Sequence, residues 1–119
     1  ASGGVGVAMM WVAATAAALD WGAVGRLGRR GPSGLGRTGG VADDSSGDLI
    51  VAFSGPDGGR SLDDSELTPL CRAAMESREE AVINSVLRAH TVVGRDGNTR
   101  QGLPIEDVRR ILQVNCIGA

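Results

Sequence analysis

The chain has no lysine and no tyrosine, and it carries one phenylalanine, one histidine and two cysteines in 119 residues. Trp11, Trp21 and Phe53 make up its aromatic complement, which leaves little to stack on bases and gives single-stranded nucleic-acid binding no support. A Ser-His-Asp triad would have to use His90, and the sequence places His90 on a helix face one turn after Val86 and Leu87, where a histidine is structural. Cys71 and Cys116 are far apart with no histidine near either, so a zinc site lacks ligands; two free thiols in a reducing compartment are expected. The longest apolar run, Val5 to Leu19 with Thr15 inside it, falls short of the roughly 20 residues that a membrane-spanning helix needs. No basic residue precedes it, as one would in a signal peptide. These absences point away from membranes and towards a cytoplasmic location.

Charge is nearly balanced at −2 but unevenly spread. Arg26, Arg29, Arg30 and Arg37 face only Asp20 in the first 38 residues, and acids dominate after that. Without a DNA-binding motif, four arginines read as a solvated helix face, and no nucleic-acid partner is expected. The all-arginine cations and the 19 glycines read as coding bias as much as physics. Hydrophobic residues make up 42% of the chain, enough for one globular domain over residues 1–119 with its own core.

Val5 to Thr15 reads as a strand buried on both faces, since its apolar residues do not alternate; alanine and methionine leave a helix open as well. Leu19 to Gly36 reads as a helix with Trp21, Val24, Leu27 and Leu35 on one face. Its glycines each cost about 1 kcal/mol inside a helix and Pro32 about 3, so it is held by packing or breaks near Gly31-Pro32. Asp48 to Ser54 is a strand, and Gly55-Pro56-Asp57-Gly58-Gly59 marks a turn. A long helix is expected from Pro69 to about Val93, capped by Thr68 with Pro69 in its first position, its apolar face built from Leu70, Ala74, Met75, Ala81, Val82, Ile83, Val86 and Leu87. Gly94 ends it, Arg95-Asp96-Gly97-Asn98 turns, and a last helix starts near Pro104 with Ile105, Val108, Ile111 and Leu112 at helical spacing. The order is α+β, and two buried strands require a sheet completed by another polypeptide.

Gly34-x-Gly36-x-x-Gly39 matches a dinucleotide-binding pattern in letters, but it closes a helix instead of opening one after a strand. A nucleotide-binding module therefore remains only a weak third reading, and no cofactor or metal is expected. Ser46 and Asp48 stand two residues apart at the entry to the second strand, so both side chains share a side if the segment is extended. Such a carboxylate orients a hydroxyl or accepts from an amine; alternatively it is loop polarity and a strand-start cap.

Gly34-Leu35-Gly36-Arg37-Thr38-Gly39-Gly40 followed by Ser45-Ser46-Gly47-Asp48 and Ala52-Phe53-Ser54 resembles the self-processing aminopeptidases of the DmpA type. That family contains L-aminopeptidase/D-amidase-esterases, β-peptidyl aminopeptidases and nylon-oligomer hydrolases. Val12-Ala13-Ala14-Thr15 with Leu19, Arg26-Leu27-Gly28-Arg29-Arg30, Leu67-Thr68-Pro69-Leu70, Glu79-Glu80-Ala81-Val82 with Asn84, Gly94-Arg95-Asp96-Gly97 and Leu103-Pro104 extend the resemblance over nearly the whole chain. It implies the small, C-terminal subunit of a precursor that cuts itself, paired with a larger subunit from the same precursor. It further implies a layered α-β-β-α sandwich in a homo-oligomer of heterodimers, acting on short peptides or amino-acid amides.

In such enzymes the new N-terminal serine or threonine is the nucleophile and its own α-amine serves as base. An α-amine titrates near 7.7–8.0, so no histidine is needed. The resemblance gives Ser46 a hydrogen-bonding role near the nucleophile and Asp48 the substrate's ammonium group. It places Ala8 where the nucleophile belongs, and alanine has no hydroxyl. Four accounts stand side by side: Ser2 is the nucleophile in a shifted register with Ala1 extra, the chain is an engineered inactive variant, it is a natural pseudoenzyme, or its N-terminal segment is unreliable. The candidate catalytic residues are thus Ser46, Asp48 and Ser2, and the rival function is a catalytically dead structural subunit.

Overall fold

Alternation appears where the sequence shows none. Met10–Thr15 forms strand β1 and Leu49–Ser54 forms strand β2, paired in parallel from Met10 opposite Leu49 to Thr15 opposite Ser54. Trp11, Ala13 and Thr15 point inward with Ile50, Ala52 and Ser54, whereas Met10, Val12, Leu49, Val51 and Phe53 stay exposed on the other face. The strand expected to be buried on both faces is thus covered on one. The computed structural model describes residues 9–40, 47–55 and 59–116. Residues 5–8 of the expected first strand lie outside them.

Parallel strands need a crossover between them, and here it is two short helices, α1 (Trp21–Gly28) and α2 (Gly31–Arg37). Asp20 caps α1, its Oδ1 accepting from the Ala23 N–H at 2.7 Å. The expected single helix breaks at Arg29-Arg30, with Pro32 in the first turn of α2 where its missing N–H costs nothing. α2 ends in a Schellman motif: Gly39 has φ 85°, its N–H bonds the Gly36 carbonyl and the Gly40 N–H bonds that of Leu35. The G-x-G-x-x-G letters are therefore a helix stop, as their position implies.

The inward face of these helices keeps Leu27 and Val24 of the expected face but not Trp21. Ala23, Leu27, Gly28, Gly31 and Gly34 are buried, while Trp21 is 91% exposed. A Cβ on Gly31 would collide with the Trp11 ring, and one on Gly34 would lie 2.6 Å from the Met75 carbonyl. The glycines that weaken these helices locally are the ones that let α2 approach its neighbours (the tertiary gain outweighs the local cost).

Helix α3 spans Asp64–Arg88, starting five residues before the expected Pro69. Asp63 is the cap: its Oδ1 accepts from the Glu66 N–H at 2.9 Å and the Ser65 hydroxyl at 2.7 Å, while Glu66 Oε2 accepts from the Asp63 N–H at 3.3 Å. This reciprocal box satisfies two orphan donors and prevails over Thr68-Pro69; Pro69 sits inside the helix. The hydrogen bond from Ser65 holds the Asp63 carboxyl below its ordinary range. The Arg60 guanidinium, bonded to both carboxylate oxygens of Glu66 at 2.9 and 2.5 Å, does the same for Glu66. The buried stripe of α3 is Leu67, Cys71, Ala74 and Arg78.

The architecture is α+β, and the chain divides into two compact units, Ala1–Ala81 and Val82–Ala119. The core of the first gathers Trp11, Leu19, Ala23, Leu27, Leu67, Cys71 and Ala74. In the second, a hairpin of β3 (Val92–Val93) and β4 (Thr99–Arg100) turns through Arg95–Asn98. Asp96 and Gly97 have φ 57° and 75°, and the Asn98 N–H bonds the Arg95 carbonyl at 3.1 Å, the Asp-Gly turn that suits a hairpin's twist. The long helix therefore stops at Arg88, before the expected Val93, and His90 lies beyond it rather than on its face. Helix α4 spans Ile105–Cys116, as the spacing from Ile105 predicts. Cys71 is a buried free thiol, and no helix among the described residues is long and apolar enough to cross a membrane.

Candidate active site

Asp48 stands one residue before β2, so the parallel register sets it beside the residue that enters β1. Its Oδ1 accepts from the Met9 N–H at 3.2 Å, and the Leu49 N–H returns a bond to the Met9 carbonyl at 2.9 Å. The first turn of the ladder is thus closed by a side chain as well as by backbone. Met9 immediately follows Ala8, which places the Asp48 carboxylate one residue from the position where the resemblance puts a nucleophile. Ala8, Ser2 and Ser46 lie outside the described residues.

Beneath Asp48 lies Arg78, whose side chain is 1% exposed. One guanidinium nitrogen donates to Asp48 Oδ2 at 3.2 Å and lies 3.7 Å from the Met9 sulfur. The guanidinium carbon stands 5.1 Å from the centre of the Trp11 ring. Burying a cation costs several kcal/mol after relaxation; an ion pair and a desolvated cation–π contact worth about 2 kcal/mol offset part of that. Nε and the other terminal nitrogen have no hydrogen-bond partner among the described residues. Asp48 itself is 29% exposed on its side chain. A carboxylate offers about four lone-pair sites; among the described residues two are engaged, by the Met9 N–H and Arg78.

Sequence reading singles out Asp48 and passes over Arg78. Set in the run Glu76-Ser77-Arg78-Glu79-Glu80, this arginine looks like part of a solvated face. The signal that exposes it is spacing: Leu67, Cys71, Ala74 and Arg78 follow i, i+4, i+7 and i+11, one continuous helical stripe. A separate groove of about 630 Å³ runs between α1 and β2, lined by Leu19, Trp21, Val24, Ile50 and Phe53 among others. Asp48 does not line it.

Two parallel strands joined through two short helices and backed by a long helix, with a carboxylate held beside the entry of the first strand, make an α+β scaffold. Residues 5–100 match Peptidase family S58, and the chain belongs to that family. It is 35% identical over 99 residues to the β-peptidyl aminopeptidase BapA of Sphingosinicella microcystinivorans, covering 74% of this chain and 25% of that protein. It is 29% identical over 100 residues to BapA of Sphingosinicella xenopeptidilytica, with the same coverage. The crystal structure of the PH0078 protein from Pyrococcus horikoshii OT3 superimposes on 89% of this chain with a TM-score of 0.74 and 35% identity, using 33% of its own length. The chain thus spans about a quarter of the curated relatives it matches.

Proposed function

We infer that this chain is the small-subunit portion of an aminopeptidase or amidase that removes N-terminal residues from short peptides or amino-acid amides through an N-terminal nucleophile. The observation that carries this reading is the Asp48 carboxylate, fixed on the Met9 N–H one residue from position 8 and still partly open to solvent. A carboxylate so placed receives the ammonium group of a substrate whose scissile carbonyl lies over residue 8. Ser46, two residues upstream in the sequence, carries the hydroxyl that this reading gives a hydrogen-bonding role near the nucleophile. Family membership, and relatives named β-peptidyl aminopeptidases, support the substrate class.

The larger subunit completes the layered sandwich on the outward face of β1 and β2. Support comes from Met10, Val12, Leu49, Val51 and Phe53, an exposed apolar row, and from the three quarters of the relatives' length that this chain does not span. Such a row on a sheet marks an interaction surface. A homo-oligomer of these pairs is the further assembly expected.

A second reading rests on Ala8: without a hydroxyl there, the chain is a dead structural subunit that keeps the fold. Ala8→Ser in the full-length protein separates the two, read by intact mass. Self-cleavage before residue 8 is expected if only the nucleophile is missing; an uncut precursor supports the dead-subunit reading. In the cleaved protein, Asp48→Ala should lower turnover of β-alaninamide by roughly 10- to 100-fold, the worth of a hydrogen bond to a charged group. An unchanged rate removes the role given to Asp48.

A further inference from the structure

We propose that Arg78 is a positioning residue: its buried guanidinium holds Asp48 in the one orientation that ties the carboxylate to the Met9 N–H. The functional meaning rests on the reading of Asp48 above; the positioning itself rests on geometry alone.

Three observations carry it. First, Arg78 is the only charged side chain buried in the core among the described residues, and a buried cation persists where its partner is held in return. Second, the two Asp48 oxygens are divided between two anchors, Oδ2 on Arg78 and Oδ1 on the Met9 N–H, so fixing one oxygen orients the other. Third, Arg78 has little freedom to move. Trp11 covers its face at 5.1 Å. A Cβ on Gly31 would come within 2.7 Å of its terminal nitrogen, and one on Gly34 within 3.0 Å of its own Cβ. Gly31 and Gly34 of α2 thus make the slot in which the arginine lies. Asp48 occupies an exposed strand entry, where a carboxylate without such an anchor samples several rotamers.

Amide hydrogen exchange at single-residue resolution on the full-length protein tests this. The Met9 N–H reports the Asp48 contact. The Leu49 N–H, bonded to the Met9 carbonyl, reports the neighbouring backbone ladder and serves as internal reference. Arg78→Met should speed Met9 exchange about tenfold relative to Leu49, as loss of one local contact without global opening does. Asp48→Ala should do the same, the double variant should add nothing, and Arg78→Lys should restore part of the protection. If Arg78→Met does not fold, Arg78→Gln is read by the same ratio. Met9 and Leu49 accelerating together would make Arg78 a packing residue, and a Met9 rate that responds to Asp48→Ala but not to Arg78→Met or Arg78→Gln would show that Asp48 is held without it; either overturns the proposal. No substrate enters this measurement, so an unchanged turnover in Asp48→Ala would sink the amine-binding role and leave the positioning intact.

Discussion

The two faces of the β1–β2 sheet are built from similarly apolar residues and have opposite fates. On the inner face, Trp11, Ala13, Ile50 and Ala52 are covered by α1, α2 and α3; a Cβ on Gly28 would already touch Ala52 at 3.3 Å. On the outer face, Val12, Val51 and Phe53 are about half exposed. Hydrophobicity therefore does not decide which face is buried within this chain. The decision lies with the helices, whose glycines allow close approach on one side only. Nearly continuous apolar strands are the mark of sheets covered on both faces, which is why the outer face is the contact proposed for the larger subunit.

The inner face breaks most easily. Gly31→Ala would press a methyl group into the Trp11 ring and the Arg78 guanidinium, and Gly34→Ala would press one into the Met75 carbonyl. Each should lower unfolding free energy by about 3 kcal/mol, the upper end for overpacking, measured by urea denaturation. The outer face should respond in the opposite sense. Val51→Lys should leave the chain's own unfolding midpoint nearly unchanged but weaken association with the proposed larger subunit at least about thirtyfold, the cost of burying an unpaired cation. Native mass spectrometry reads that loss directly, and a two-chain complex of unchanged abundance would mean that the outer face is not the contact.

A finer contrast lies within α2. A methyl group on Gly36 would meet nothing within 4 Å, so Gly36→Ala should raise stability by about 0.5–1 kcal/mol through helix propensity alone. Two glycines of one short helix would then differ in the sign of the same substitution. The smallest effect concerns pH at the start of α3. Asp63 and Glu66 have lowered native pKa values, so their stabilisation is fully present above the ordinary carboxylate range of about 3.9–4.3. It is lost as pH falls through that range towards the lowered native values. Asp63→Asn/Glu66→Gln should flatten this part of the stability–pH profile.

Local rules made several elements readable. Alternation-free β-branched residues mark β2, Gly31-Pro32 marks the break between α1 and α2, Asp96-Gly97 marks a turn, and the spacing from Ile105 marks α4. The order of short motifs was enough to recognise the family, which residues 5–100 bear out. Each of these signals is carried by residues close in the chain, where backbone sterics and periodicity act without help from distant parts.

What escaped such reading depends on contacts across the fold. Trp21 has the composition of a core residue yet faces outward, because Ala23 and Leu27 turn the other side of α1 to the sheet. Thr68-Pro69 looks like a helix start, and the Asp63–Glu66 box with Arg60 began the helix a turn earlier. The family resemblance, not its place before a strand, singled out Asp48; Arg78, hidden in a charged run, had no such signal. Residue order and periodicity by themselves determined the strands, the helix break, the turn and the family. Only the tertiary structure decided that glycines are contact points, that one arginine is core, and that a carboxylate is tied to the backbone beside residue 8. The physical reason is that close approach and charge burial are pairwise properties, decided by partners up to 69 residues away in the chain.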